Sequence, residues 1–193
     1  YSKEALFNIK KIWNMRHPDN MIHSTQPYRV WQKLNSFFSK TCKKESCWLK
    51  HICLKENLDK KMFSKLFAPK MPALWKQKPN EWLSSVDIMN VMRQYEDVFH
   101  DFEFLGPSPI DYDTHKHNGE CIWEELCEFN LEKNIKSHKR KIGIIFNLDP
   151  HYKDGSHWVA AFINTYLKEI YYFDSYGEKI PRQIKKFIKN VQK

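Results

Sequence analysis

The chain has 193 residues, with 32 Lys or Arg against 23 Asp or Glu, a formal charge of +9 at neutral pH. That length can bury a sizeable core, and an aromatic content of 15% excludes a disordered tail. No apolar run approaches the ~18 residues of a membrane span, so no membrane partner is expected, and the charge favours acidic partners such as nucleic acid.

Leu6, Ile9, Ile12 and Trp13 fall at helical spacing with lysines between them, which predicts a helix over residues 1–16. His17-Pro18-Asp19-Asn20 breaks it. Ser24-Thr25-Gln26-Pro27 supplies the next start, with Trp31, Leu34 and Phe37/Phe38 on one face. Cys42, Cys47, His51 and Cys53 follow closely, but C-x4-C-x3-H-x-C lacks the two separated pairs of a structural zinc site. No metal or cofactor is expected, and five cysteines without a framework spacing predict reduced thiols. Asn57 to Phe67 is amphipathic, and Pro69, Pro72 and Pro79 then punctuate a stiff, extended connection. The chain therefore divides into a helical N-terminal arm (1–68), a Pro-rich connection (69–79) and a mixed domain (80–193).

In that domain Ser84 or Ser85 caps a helix with Ile88, Val91, Met92 and Tyr95 inward. Phe99 to Leu105 reads as a strand stopped by Gly106-Pro107-Ser108-Pro109, followed by a solvated loop over Asp111, Asp113, His115, His117 and Asn118. Glu120 to Phe129 predicts a helix with Ile122, Trp123 and Leu126 inward and Cys121 at its start, where a dipole lowers a thiol's pKa. Ser137 to Lys141 is a basic loop, open to phosphate contact. Ile142, Ile144, Ile145 and Phe146 belong to a strand buried on both faces. Pro181 opens a last helix with Ile184, Phe187, Ile188 and Val191 inward.

Between them lie two β-branched and aromatic runs, Gly155 to Ile163 and Ile170 to Gly177, joined by a short polar link. Paired antiparallel, they bring the start of the first to the end of the second. His157 then faces Asp174, the base half of a nucleophilic catalyst. The expected fold class is α+β: a helical arm, then a mixed central sheet flanked by helices. The chain starts at Tyr1 without Met and stops at Lys193 inside an amphipathic pattern, so it is expected to be part of a longer protein with an incomplete C-terminal side.

His157-Trp158 followed by a hydrophobic strand and then Tyr172-Phe173-Asp174-Ser175 resembles the ubiquitin-like-protein-specific cysteine proteases, the clan of the SUMO proteases and the adenovirus proteinase. Further blocks match in order: Glu45-Ser46-Cys47-Trp48, Phe67-Ala68-Pro69-Lys70, Trp82-Leu83, Leu105-Gly106-Pro107 and Ile144-Ile145-Phe146-Asn147. Together with the helical arm they are similar to the virion-packaged polyprotein proteases of large cytoplasmic DNA viruses. The resemblance implies His157 and Asp174 as catalytic residues and Trp82 and Trp158 as the two walls of a substrate tunnel. It implies cleavage after Gly-Gly in a polyprotein or ubiquitin-like partner, in the virion or the host cytoplasm during assembly. The family's oxyanion glutamine and nucleophilic cysteine come later in its order, and no Cys follows Asp174 here, so this fragment alone is expected to be inactive. Ser84-Ser85 stands where SUMO proteases carry Asn-Asp, which puts SUMO as the substrate in doubt.

Two other readings compete. One is a protease-like structural or docking protein of a virion with no nucleophile. The other is a basic nucleic-acid-binding module, whose scattered lysines lack a single stripe with interleaved aromatics. Cys121 as a nucleophile preceding its histidine, the papain-like order, is a further alternative.

Overall fold

A computed structural model describes residues 1–52, 64–69 and 71–192, and the chain separates into two units, Tyr1–Pro69 and Lys70–Lys193.

In the first unit, helices α1 (Lys3–Arg16), α2 (Pro27–Phe38) and α3 (Ser46–Ile52) bury their apolar faces together. Ser2 caps α1 by accepting a hydrogen bond from the Ala5 amide at 3.2 Å. Leu6 and Ile9 from α1, Val30 and Leu34 from α2, and Trp48 and Leu49 from α3 form the core. Val30 and Leu34 have the helical spacing that a buried stripe requires. Cys42 and Cys47 form a disulfide, contrary to the expected reduced thiols. Their Cα atoms lie 5.5 Å apart, because the chain turns from the end of α2 into α3 between them. The helix expected over Asn57 to Phe67 lies mostly outside the described residues.

The second unit is built on β2 (Lys141–Asn147), whose Ile142, Ile144 and Phe146 are at most 1% exposed. A strand that apolar has no stable place at a sheet edge. It pairs in parallel with β1 (Phe102–Pro109) and antiparallel with β3 (Trp158–Asn164), which pairs antiparallel with β4 (Glu169–Phe173). Among the described residues the sheet order is β1-β2-β3-β4. Helix α5 (Ser85–Val98) covers one face through Ile88, which meets Phe102 and Phe104. Helix α8 (Arg182–Val191) covers the other through Ile184 and Phe187, which meet Ile142, Ile144 and Phe146. The architecture is α+β, with a helical N-terminal part and a mixed sheet. Among the described residues no helix is long and apolar enough to cross a membrane.

Four local expectations are corrected. The Pro-rich connection contains a helical turn, α4 (Leu74–Gln77), held by the bond from the Lys78 amide to the Leu74 carbonyl. Strand β1 does not stop at Gly106. It runs through a bulge at Gly106–Pro107, where Gly106 takes a φ of +111°, and resumes pairing at Ser108. Proline is compatible there because β1 is bonded on one side only and a bulge needs no amide donor. The helix expected over Glu120 to Phe129 contracts to α6 (Glu124–Cys127), because the preceding residues bond elsewhere: the Ile122 amide to Thr114 and the Trp123 amide to Tyr112. A helix absent from the expectation, α7 (Leu131–Lys136), starts at Asn130, whose side chain accepts from the Lys133 amide at 2.9 Å.

Candidate active site

The β3–β4 register sets the site. Ala160 pairs with Phe173, so the residues just before β3 and just after β4 emerge at the same edge. His157 and Asp174 occupy those positions, and Nε2 of the imidazole lies 2.6 Å from Oδ1 of the carboxylate. The pair is sheltered: the side chains are 18% and 3% exposed. Asp174 is held by its own turn, since Oδ1 also accepts from the Tyr176 amide at 2.9 Å, an Asx arrangement suited to the end of a strand. The hydrogen bond from His157, the Tyr176 amide and then the charge of the imidazole together hold the Asp174 carboxyl below its ordinary range, against a smaller opposing effect of burial. It therefore stays ionised at neutral pH, as a group that orients an imidazole must.

An ionised acceptor at Nε2 fixes that nitrogen as the N–H donor. Nδ1 is left as the basic lone pair, on the far side of the ring from the acid. The ring cannot swing freely, because the phenol of Tyr176 stacks on it with centroids 4.3 Å apart and planes 8° from parallel.

The approach to His157 is equally constrained. Asn147, at the end of β2, accepts through Oδ1 from the Asp149 and Ser156 amides at 2.9 and 3.2 Å, and the Leu148 amide bonds the His157 carbonyl at 2.9 Å. Gly155 lies against Asn147 so closely that an added Cβ would sit 2.5 Å from Nδ2, and its φ is +98°. Only glycine takes that conformation without strain. Asp111, expected in a solvated loop, clamps the same segment. Its two oxygens receive the His151 amide at 2.9 Å and the His151 Nδ1 at 2.7 Å.

Trp158 donates through Nε1 to the Leu83 carbonyl at 3.1 Å, which ties the start of β3 to the residue before the α5 cap. That cap is a full capping box between Ser84 and Asp87. A cavity of about 550 Å³ opens beside this junction, bounded by Leu83, Met89, Pro107, His151, Gly155 and Trp158. Trp82 is adjacent in sequence to Leu83, yet its side chain is 72% exposed. Among the described residues the two indoles make no ring contact with each other. The structure thus brings His157 to Asp174 and Trp158 to Leu83, and leaves Trp82 projecting into solvent.

In an alignment of 191 positions that covers 97% of its length, the chain is 30% identical to a protein of Acanthamoeba polyphaga mimivirus named "Putative thiol protease R355". It is a relative of that viral protein and spans 60% of its length. Among solved structures, the crystal structure of the ASFV pS273R protease aligns with a TM-score of 0.42 at 18% identity, covering 83% of this chain and 65% of that one. No protein-family model matches the chain.

The cysteines of the second unit do not join this site. Cys121 is 8% exposed and bonded to Cys127. It sits in an isolated bridge with His115, whose Nε2 is 3.7 Å from its sulfur, and not at a helix start. This disulfide, like that of the first unit, departs from the expectation of reduced thiols. Sequence reasoning missed Tyr176, Asn147 and Asp111 as supports of His157. Gly155, two residues ahead of the histidine and beside the polar Asp154, was the one legible signal of a special turn.

Proposed function

We propose that the chain is the greater part of a viral cysteine protease, with His157 as general base, Asp174 as its orienting acid and the nucleophilic thiol and oxyanion glutamine supplied by residues outside this chain. The observation that carries the reading is the 2.6 Å contact between Nε2 and the ionised Asp174, which leaves Nδ1 as the proton acceptor. The mimivirus relative's name supports the class of chemistry.

In this mechanism a thiol approaches Nδ1 and gives up its proton, and the thiolate attacks the carbonyl carbon of the scissile peptide. The tetrahedral intermediate collapses as Nδ1–H protonates the departing amine. Water, deprotonated by the same nitrogen, then hydrolyses the thioester and restores the thiol. Asp174 keeps Nε2 protonated throughout and stabilises the imidazolium that forms. The substrate class is a polyprotein cleaved after Gly-Gly during virion maturation, in the virion or the host cytoplasm. Trp158 and the exposed Trp82 flank a backbone thin enough to pass between indoles.

The test uses the full-length protein and a fluorogenic Gly-Gly-x peptide. Cleavage is expected, blocked by a thiol alkylator and lost on His157→Ala. Soluble full-length protein that leaves the peptide uncut, or a His157→Ala variant that still cuts, would overturn the assignment. The first outcome would favour a docking role without catalysis.

A further inference from the structure

The net charge of the chain is confined to one unit. Residues 1–69 hold 14 Lys or Arg and 5 Asp or Glu, a net of +9, whereas residues 70–193 hold 18 of each and are neutral. Across the described residues the carboxylate–lysine pairs, such as Lys141 with Asp101 and Lys186 with Asp113, all fall in the second unit. No described Lys or Arg of the first unit is paired with a carboxylate. An excess of that size, held on 69 residues and not neutralised internally, is an electrostatic footprint for a polyanion.

Helix α2 gives the footprint a shape. Tyr28 is 68% exposed and stacks on Trp31, centroids 6.2 Å apart and planes 14° from parallel. Trp31 is fixed from behind, since its Nε1 donates to Glu45 Oε1 at 2.8 Å. Tyr28 is thus the exposed outer ring of a pair whose inner ring is tethered. Arg29 and Lys33, one turn apart and both exposed, lie on the same helix around its solvent side, and the exposed Lys40, Lys43 and Lys44 follow in sequence. An exposed ring pair on a unit whose cations are not paired with carboxylates matches a polynucleotide with unstacked bases that wraps the helix, the cations meeting phosphates and the rings meeting a base. A lipid surface fits less well. It needs an exposed apolar helix face, and the apolar residues of α2, Val30, Leu34 and Phe38, are buried in the unit's own core.

We infer that the helical unit binds single-stranded nucleic acid, with Tyr28 and Trp31 as a stacking platform and Arg29 and Lys33 as phosphate contacts. This surface is independent of the proteolytic reading, because none of its residues belongs to the His157 site.

Fluorescence anisotropy of the whole chain with a labelled 20-nucleotide single strand tests it, beside a duplex of the same sequence, a poly-glutamate peptide and vesicles of 70% phosphatidylcholine and 30% phosphatidylserine. The single strand is expected to bind most tightly. Its log affinity should fall linearly with log salt, by about 0.7 for each phosphate neutralised. Tyr28→Ala should weaken the single strand roughly tenfold and remove its advantage over duplex. The double variant Arg29→Glu/Lys33→Glu should weaken both forms and lower the salt slope by about 1 or more. These side chains are exposed, so circular dichroism of the variants should match the parent. Binding indifferent to salt, or unchanged by the charge reversals, would overturn the inference, as would preference for vesicles or poly-glutamate over the strand. A charge effect alone, with Tyr28→Ala inert and duplex equal to single strand, would overturn the stacking platform.

Discussion

The two units solve opposite problems with similar means. In the helical unit Ile9, Val30 and Leu34 pack with Trp13, Phe38 and Trp48, while the unit carries all of the chain's excess charge. In the sheet unit Ile142, Ile144 and Val159 pack with Tyr112, Phe146 and Phe187, charge balances to zero and the carboxylates are used locally. Asp111 clamps a loop, Asp174 orients a ring and Asp87 closes a cap. The contrast teaches that the same residue types do different work depending on what lies opposite them. A lysine facing a carboxylate shapes its own unit, and a lysine facing only water acts on something outside it.

The sharpest way to break this contrast is at the edge of the sheet. If the second unit's carboxylates serve chemistry, Asp174→Asn in the full-length protein should lower peptide cleavage by roughly 10³–10⁴-fold while leaving the far-ultraviolet spectrum intact, since the amide forces the wrong imidazole tautomer. The same change in charge at an exposed carboxylate such as Glu81 should leave cleavage alone.

Next come the cores. Trp48→Ala in the helical unit and Phe146→Ala in the sheet unit each empty a fully buried site, and each should lower stability by about 3–5 kcal/mol in denaturant titrations. Because these rings belong to separate clusters, the losses should add within about 0.5 kcal/mol in the double variant. A large non-additive term would merge the two units into one cooperative core.

A smaller effect appears at alkaline pH. Burial, and then the neighbouring Asp113 charge, pushes the Tyr112 hydroxyl from 10.0 up to about 12. The unfolded chain ionises first, so what this residue contributes is complete below pH 10.0 and is lost as pH rises toward about 12. Tyr112→Phe should flatten the stability profile of the sheet unit across that window. Asp174 acts in the opposite direction: its lowered pKa adds stability above the ordinary Asp range that disappears on acidification. The smallest effect is at the cap. Ser84→Ala removes one side of the capping box and should cost about 1 kcal/mol, read by thermal unfolding.

The His157–Asp174 pair was legible in the sequence because antiparallel pairing of neighbouring strands is a short-range inference, and the short polar link between the two runs fixed which ends meet. The buried central strand was legible for the same reason, in its near-continuous apolar run. Gly106-Pro107 misled because local residue preference marks a turn, whereas the partner strand β2 holds those residues in a bulge. Cys121 misled in the same way: an apolar spacing suited to a helix was overridden by backbone bonds to the 112–116 segment. Tyr176 could not be foreseen, since stacking on an imidazole depends on how a turn is aimed and leaves no periodic trace. Trp82 and Trp158 were singled out by resemblance; Trp158 bonds the Leu83 carbonyl, whereas the Trp82 side chain is exposed and, among the described residues, makes no such bond.

Gly155 has a consequence for anyone screening variants of this chain. Its backbone and its contact with Asn147 admit no side chain, yet it lies outside both clusters that hold the sheet unit together. In a deep mutational scan the position should look almost blank in a solubility assay and sharply intolerant in a turnover assay. That signature would mark the loop as equipment for chemistry and not for folding.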